Sequence, residues 1–192
     1  DFKLILESLA SFREIVHPSK LIYAEDYEMQ SIELIEKSGG VVDSLQKINT
    51  GSLIDLITRS EIALSDTSLK VAHRDLNWSN MGIVNGDKSD SKILQIVDWG
   101  TFGWAYPGYD EGRLLTRLCL NPKLQEIYIG NVIDFSKHWY SIKDGNNYLI
   151  SFWRTVALRS YREIYLTMTG RYDRLIDDIS GSGRNDFRQF FS

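Results

Sequence analysis

The richest run of chemically capable side chains in the sequence is His73-Arg74-Asp75-Leu76-Asn77-Trp78-Ser79-Asn80, and a second group, Asp98-Trp99-Gly100, follows it. Between them lie two β-like runs, Met81 to Val84 and Ile93 to Val97, separated by Asn85-Gly86-Asp87-Lys88-Ser89-Asp90-Ser91. That pattern predicts a hairpin. A hairpin brings its ends together, so Asp98 returns to the neighbourhood of Asn80, and the preceding loop can aim Asp75 at the same point. The result is one carboxylate able to accept a proton beside a second carboxylate and an amide oxygen. Hard oxygens of this kind suit a magnesium ion that keeps waters and phosphate oxygens as its other ligands.

His-x-Asp-x-x-x-x-Asn, a hairpin and then Asp-Trp-Gly resembles the catalytic core of the protein-kinase-like superfamily. Within it, Ile96-Val-Asp-Trp-Gly-Thr-Phe-Gly-Trp-Ala-Tyr-Pro-Gly-Tyr-Asp110 resembles the aminoglycoside phosphotransferase and choline-kinase-like branch of small-molecule kinases. Asp98 and Asp110 are only 12 positions apart, with no Ala-Pro-Glu element between them, which leaves no room for a peptide-docking segment. Two positions after Asp75 stands Asn77, where protein Ser/Thr kinases tend to carry Lys. Arg74 departs from the small-molecule branch, which more often has Gly there, and a local ion pair is its expected role.

The resemblance implies that Asp75 orients the substrate hydroxyl and accepts its proton, that Asn80 and Asp98 hold magnesium on the phosphates of ATP, and that His73 and Asp110 brace the catalytic loop. Gly82 stands where the family has a branched apolar residue, so the adenine floor is expected to rest on Ile83 and Val97. The family's nucleotide-binding N-lobe, with its Gly-rich loop and strand lysine, has no counterpart in the 72 residues before His73. The expectation is a C-lobe without its N-lobe, and a chain that begins mid-architecture at Asp1. Such a chain taken alone is expected to turn over little. The implied acceptor is the hydroxyl of a small molecule such as an amino sugar or amino alcohol; a catalytically silent binding or regulatory module on the same fold is the alternative.

Plainer readings stand beside these. Asp and Asn also cap turns without doing chemistry. Ser79 has no Gly-x-Ser-x-Gly elbow around it and is expected to brace its loop rather than attack a substrate. His17 and His138 have no metal-like pattern. Trp99, Trp104, Tyr106 and Tyr109 are expected to pack the core, and Arg159 and Arg162, which could face an anionic ligand, to pair with carboxylates.

The elements that must position the loop read as follows. Helical periodicity runs from Phe2 to Ile15, from about Glu28 to Lys37 before Gly39-Gly40, and from Ser52 to Leu64. A short β-like run, Leu69 to Ala72, leads into the loop. After the hairpin, helical stretches are expected at Glu111 to Leu120, Leu124 to Tyr140, Tyr148 to Met168 and Asp173 to Ile179, with a break at Lys143-Asp144-Gly145-Asn146-Asn147 and a Gly/Ser linker from Ser180 to Arg184. The fold class is therefore α+β and mainly α: a kinase-like C-terminal lobe over residues 1–180 with a small β-hairpin at its catalytic centre. It divides into a helical substrate-side part (1–72), the catalytic loop and metal hairpin (73–115) and a helical part (116–180), followed by a tail (181–192).

Composition agrees with this reading. The chain has 192 residues, 43% hydrophobic and 25% charged, enough for one packed core. A net charge of −4 argues against a nucleic-acid surface, which needs a basic excess. Lone Cys119 permits neither an internal disulfide nor a zinc cluster, which fits a reducing, cytoplasmic setting. No apolar run is long enough to span a bilayer, and no leader is recognisable before the first helix. Residues 1–72 carry 12 carboxylates against 7 basic residues; Glu25, Asp26, Glu28 and Glu33 would suit an amine-bearing acceptor or simply a solvated surface.

Overall fold

A computed structural model describes residues 2–15, 35, 50–86, 92–118 and 121–168. Five helices and four short strands follow one another: α1 (Phe2–Ile15), α2 (Thr50–Leu64), β1 (Lys70–Ala72), β2 (Met81–Asn85), β3 (Lys92–Ile96), β4 (Gly103–Ala105), α3 (Tyr109–Thr116), α4 (Pro122–Trp139) and α5 (Ile142–Met168). The class is α+β and mainly helical, as expected. None of the described helices is long and apolar enough to cross a membrane.

The helices form where the apolar residues recur on one face. On α1 the buried stripe is Ile5, Leu6, Leu9 and Ala10. It packs with Leu76, Leu114, Leu115, Tyr128, Val132, Phe135, Tyr148 and Phe152 in the main core. A second cluster joins Ile57 of α2 to Leu158 and Tyr161 of α5, with Ile35 buried against them. Ile35 is the only described residue of the helix expected from Glu28 to Lys37. The helix expected at Asp173 to Ile179, the linker after it, His17 and Cys119 lie outside the described residues.

Helix α3 is short and is buried from Tyr109 to Leu115. It can lie that deep because Gly112 lets the backbone of α5 approach: a Cβ there would stand 2.7 Å from the Phe152 carbonyl oxygen. Gly108 opens the helix at φ 96°, a left-handed conformation that glycine adopts without steric cost.

Two features differ from the sequence expectation. The break expected at Lys143 to Asn147 lies instead at Tyr140-Ser141, and residues 143–147 form the first turns of α5. The Ser141 hydroxyl accepts the Asp144 N–H at 3.2 Å and donates to Asp144 Oδ2 at 2.6 Å, so the polar run that resembles a turn is a helix start. Strand β4 was not foreseen at all. It pairs antiparallel with β1, Ala72 opposite Gly103 and Lys70 opposite Ala105. The hairpin itself is present, with Met81 opposite Ile96 and Asn85 opposite Lys92. The two ladders work together: β1–β4 closes one end of the segments 73–80 and 97–102, and β2–β3 closes the other.

Candidate active site

The polar loop leaves β1 and is seized at once by α3. Asp110, 1% exposed in the first turn of α3, accepts the His73 backbone N–H at Oδ2 and the Arg74 backbone N–H at Oδ1, each at 2.9 Å. An acidic side chain at a helix start also meets the positive end of the helix dipole. The bracing role expected of Asp110 is the one it has. Arg74 sits at φ 65° and Asp98 at φ 61°, the two left-handed residues other than glycine among those described. Such conformations cost about 1–3 kcal/mol each and persist where the surroundings fix them. At Arg74 the two bonds to Asp110 supply that fixing.

His73 ties the two segments together. Its Nε2 lies 2.8 Å from the Val97 carbonyl oxygen, and its own carbonyl accepts the Thr101 hydroxyl at 2.9 Å. A carbonyl only accepts, so Nε2 carries the proton. The ring packs against Trp99, which in turn packs against Phe12 and Phe102. Trp99 is thus core, as expected.

At the hairpin's base, the Val97 N–H donates to the Asn80 carbonyl at 3.0 Å, which sets Asp98 one residue from the partner of Asn80. The turn Trp78–Asn80 is capped by Asn77, whose side-chain oxygen accepts the Ser79 and Asn80 backbone N–H groups at 3.0 and 3.2 Å. Ser79 donates its hydroxyl to the same oxygen, which is the loop-bracing role expected of it. Asn80 Nδ2 donates to the Asp75 carbonyl at 3.2 Å, so its amide oxygen points away from that carbonyl. Asp98 is exposed and makes no cap with its side chain. Asn80 and Asp98 therefore offer two hard oxygens from adjacent backbone. Among the described residues no group of three or more His, Cys, Asp or Glu could hold a metal. A magnesium ion here would draw its remaining ligands from phosphate and water, which is its usual habit.

Asp75 is 42% exposed, and its Oδ1 accepts from Arg113 Nη2 of α3, whose side chain is 7% exposed. Arg113 was not singled out from the sequence. Burial holds its pKa below the ordinary value, and the charge of Arg159 adds to the effect, while Tyr109 and Asp75 oppose it. Arg159 donates to the Tyr109 hydroxyl at 2.8 Å.

The expected adenine floor needs correction. In the hairpin register Ile83 faces the same way as Met81, Leu94 and Ile96, which pack against the main core, whereas Val97 shares the opposite face with Gly82, Val84 and Ile93. Residues across an antiparallel pair lie on one face, and faces alternate along the strand. Ile83 and Val97 therefore do not make one surface. The exposed apolar face is Val84, Ile93 and Val97, 41%, 53% and 46% exposed, with open space over Gly82.

Beneath the loop lies a buried ion cluster that sequence reading also passed over. Arg13 of α1 makes a two-pronged bond to Glu111, 2.6 and 2.8 Å, and stands 3.5 Å from Asp110. Burial alone would lower the pKa of Arg13, but Glu111 and then Asp110 override it and raise it. Arg13 falls four positions after Leu9 on the apolar stripe of α1, and a charge on that face was the available signal. His138 merely contacts the Asp134 carbonyl on the exposed side of α4, as a residue without a role would.

Comparison with models of known protein families, with curated proteins and with solved structures returns no match. The site's meaning rests on its own geometry. The carboxylates that suggested an amine, Glu25, Asp26, Glu28 and Glu33, lie outside the described residues.

Proposed function

We propose that this chain is the C-terminal lobe of a cytoplasmic, ATP- and magnesium-dependent phosphotransferase acting on a hydroxyl group of a small molecule. The observation that carries the reading is the pair of bonds from the His73 and Arg74 amides to Asp110. Through them one buried carboxylate fixes the loop that carries Asp75 beside Asn80 and, across the hairpin base, Asp98. In the proposed reaction the Asp75 carboxylate takes the proton of the acceptor hydroxyl while that oxygen bonds to the terminal phosphorus of ATP. The bond from that phosphorus to its bridging oxygen breaks, and ADP leaves. Asn80 and Asp98 would hold the magnesium ion, which supplies neutralisation of phosphate charge. The face formed by Gly82, Val84, Ile93 and Val97 would carry the adenine. General-base help is worth about 10²–10⁴-fold, and positioning supplies much of the remainder.

Assay of the full-length protein with radiolabelled ATP and a panel of small alcohols tests the reading. Magnesium-dependent transfer to an alcohol, lost in Asp75→Asn, is the expected result. Transfer that survives Asp75→Asn would remove the proposed base.

One observation favours the second reading, a catalytically silent nucleotide-binding module. Arg113 engages the Asp75 carboxylate that catalysis needs free. Magnesium-dependent nucleotide binding without transfer to any alcohol would select it.

A further inference from the structure

The geometry points to an acceptor that carries an oxyanion: Arg113 and Arg159, linked through Tyr109, form the subsite for a carboxylate or phosphate group on the molecule whose hydroxyl faces Asp75. The assignment of that molecule as acceptor rests on the phosphotransferase reading; the anion site does not.

The contacts run in a fixed order. On one side of Asp75 stands Asn80, whose amide donates to the Asp75 carbonyl, with Asp98 across the hairpin base; on the other stands Arg113, which donates to the Asp75 carboxylate. Beyond Arg113 lies Tyr109, whose hydroxyl accepts from Arg159. The guanidinium carbon of Arg159 is 6.0 Å from the centre of the Tyr109 ring. The metal-ligating oxygens and the two arginines therefore flank Asp75 from opposite sides. The arginines sit on α3 and α5, the helices that Gly112 allows to close on each other. Arg159 could have faced any direction on α5, and the fold turns it toward Arg113.

Two guanidinium groups brought together in a partly buried place repel. The repulsion is felt at Arg113, where burial and Arg159 together outweigh the help from Asp75 and Tyr109. An arriving oxyanion reverses that balance, and guanidinium groups bind carboxylate and phosphate through paired N–H donors. The same event accounts for the occupied base. Arg113 turns from Asp75 Oδ1 to the ligand's anion, and Asp75 is released to accept the hydroxyl proton only when an acceptor is in place.

Titration calorimetry on the full-length protein tests this with three alcohols: glycerol 3-phosphate, glycolate and ethanolamine. The two anions separate phosphate from carboxylate recognition, and the amine serves as the opposite charge. Either anion should bind more tightly than ethanolamine, and Arg159→Gln should weaken that binding at least tenfold. Arg159→Lys, which keeps the charge, should lose less, and Lys143→Gln at the exposed start of α5 should lose nothing. Thermal melting identifies a variant that fails to fold; the salt dependence of anion binding to the wild type, which should weaken as chloride rises, then carries the test. Tighter binding of ethanolamine, or anion binding by a folded Arg159→Gln within twofold of wild type, would overturn the subsite. Radiolabel transfer in the same samples separates the two claims. Anion binding that depends on Arg159 without transfer supports the subsite and refutes the phosphotransferase reading, whereas transfer to ethanolamine alone refutes the subsite and keeps that reading.

Discussion

Replacing Asp110 with Asn tests how the catalytic loop is held. Both carboxylate oxygens of Asp110 accept backbone N–H groups, Oδ2 from His73 and Oδ1 from Arg74, each at 2.9 Å. An amide of the same shape has only one oxygen, so one bond is lost and an N–H faces an NH2 group with no acceptor between them. A hydrogen bond to a charged group is worth about 1.5–3 kcal/mol, and the loss at Asp110 should fall in that range. The change also removes a negative charge 3.5 Å from buried Arg13, which adds to the loss. Asp110→Ala removes both acceptors and should cost about twice as much. Against a total stability of about 5–15 kcal/mol, either loss is large. Urea denaturation followed by circular dichroism gives the values, with Asp134→Asn on the exposed face of α4 as a control expected within about 0.5 kcal/mol of wild type. If Asp110→Asn also fell within about 0.5 kcal/mol of wild type, or if Asp110→Ala were the milder change, the two bonds would not be what holds the loop.

Other outcomes follow from the buried cluster. Arg13→Met strands the Glu111 carboxylate, which is fully buried, and should destabilise by about 3–5 kcal/mol; adding Glu111→Gln should recover part of that loss, and simple additivity of the two changes in a denaturation cycle would contradict the pairing. Burial pushes the Tyr140 phenol up from 10.0 to about 12 and raises Tyr128 and Tyr148 in the same direction. The folded state then holds protons that the unfolded chain releases. The resulting stability is complete below pH 10 and declines as pH rises toward 12, so urea midpoints should fall across that window and a flat profile would refute the assignment.

Much of the architecture was legible because it depends on periodicity. The stripe of Ile5, Leu6 and Leu9 marks α1, and alternation around an Asn-Gly turn marks the hairpin. Three residues of β4 carry too little pattern to be read, and their aromatic Trp104 suggested packing rather than pairing. The break before α5 was misplaced because Asp144, Gly145 and Asn146 are turn formers by composition, while the hydroxyl of Ser141 recruits them into a helix. At the site, Asp75, Asn80, Asp98, His73 and Asp110 were readable from spacing alone. Arg113, Arg13 and Glu111 were not, since their importance comes from which helices pack together, a fact that no local pattern records. The split of Ile83 from Val97 was readable in principle: once Met81 is paired with Ile96, the period of two assigns every face.

The central claim, that Asn80 and Asp98 hold a divalent ion on a nucleotide beside Asp75, is tested most directly by manganese binding. Water-proton relaxation measured on the full-length protein with manganese and ATP reports the ion in the ternary complex. The account predicts an enhancement in wild type that persists in Asp75→Asn, because Asp75 is not a ligand, and is lost in Asp98→Asn. Equal enhancement in wild type and Asp98→Asn, or loss in Asp75→Asn alone, would contradict it.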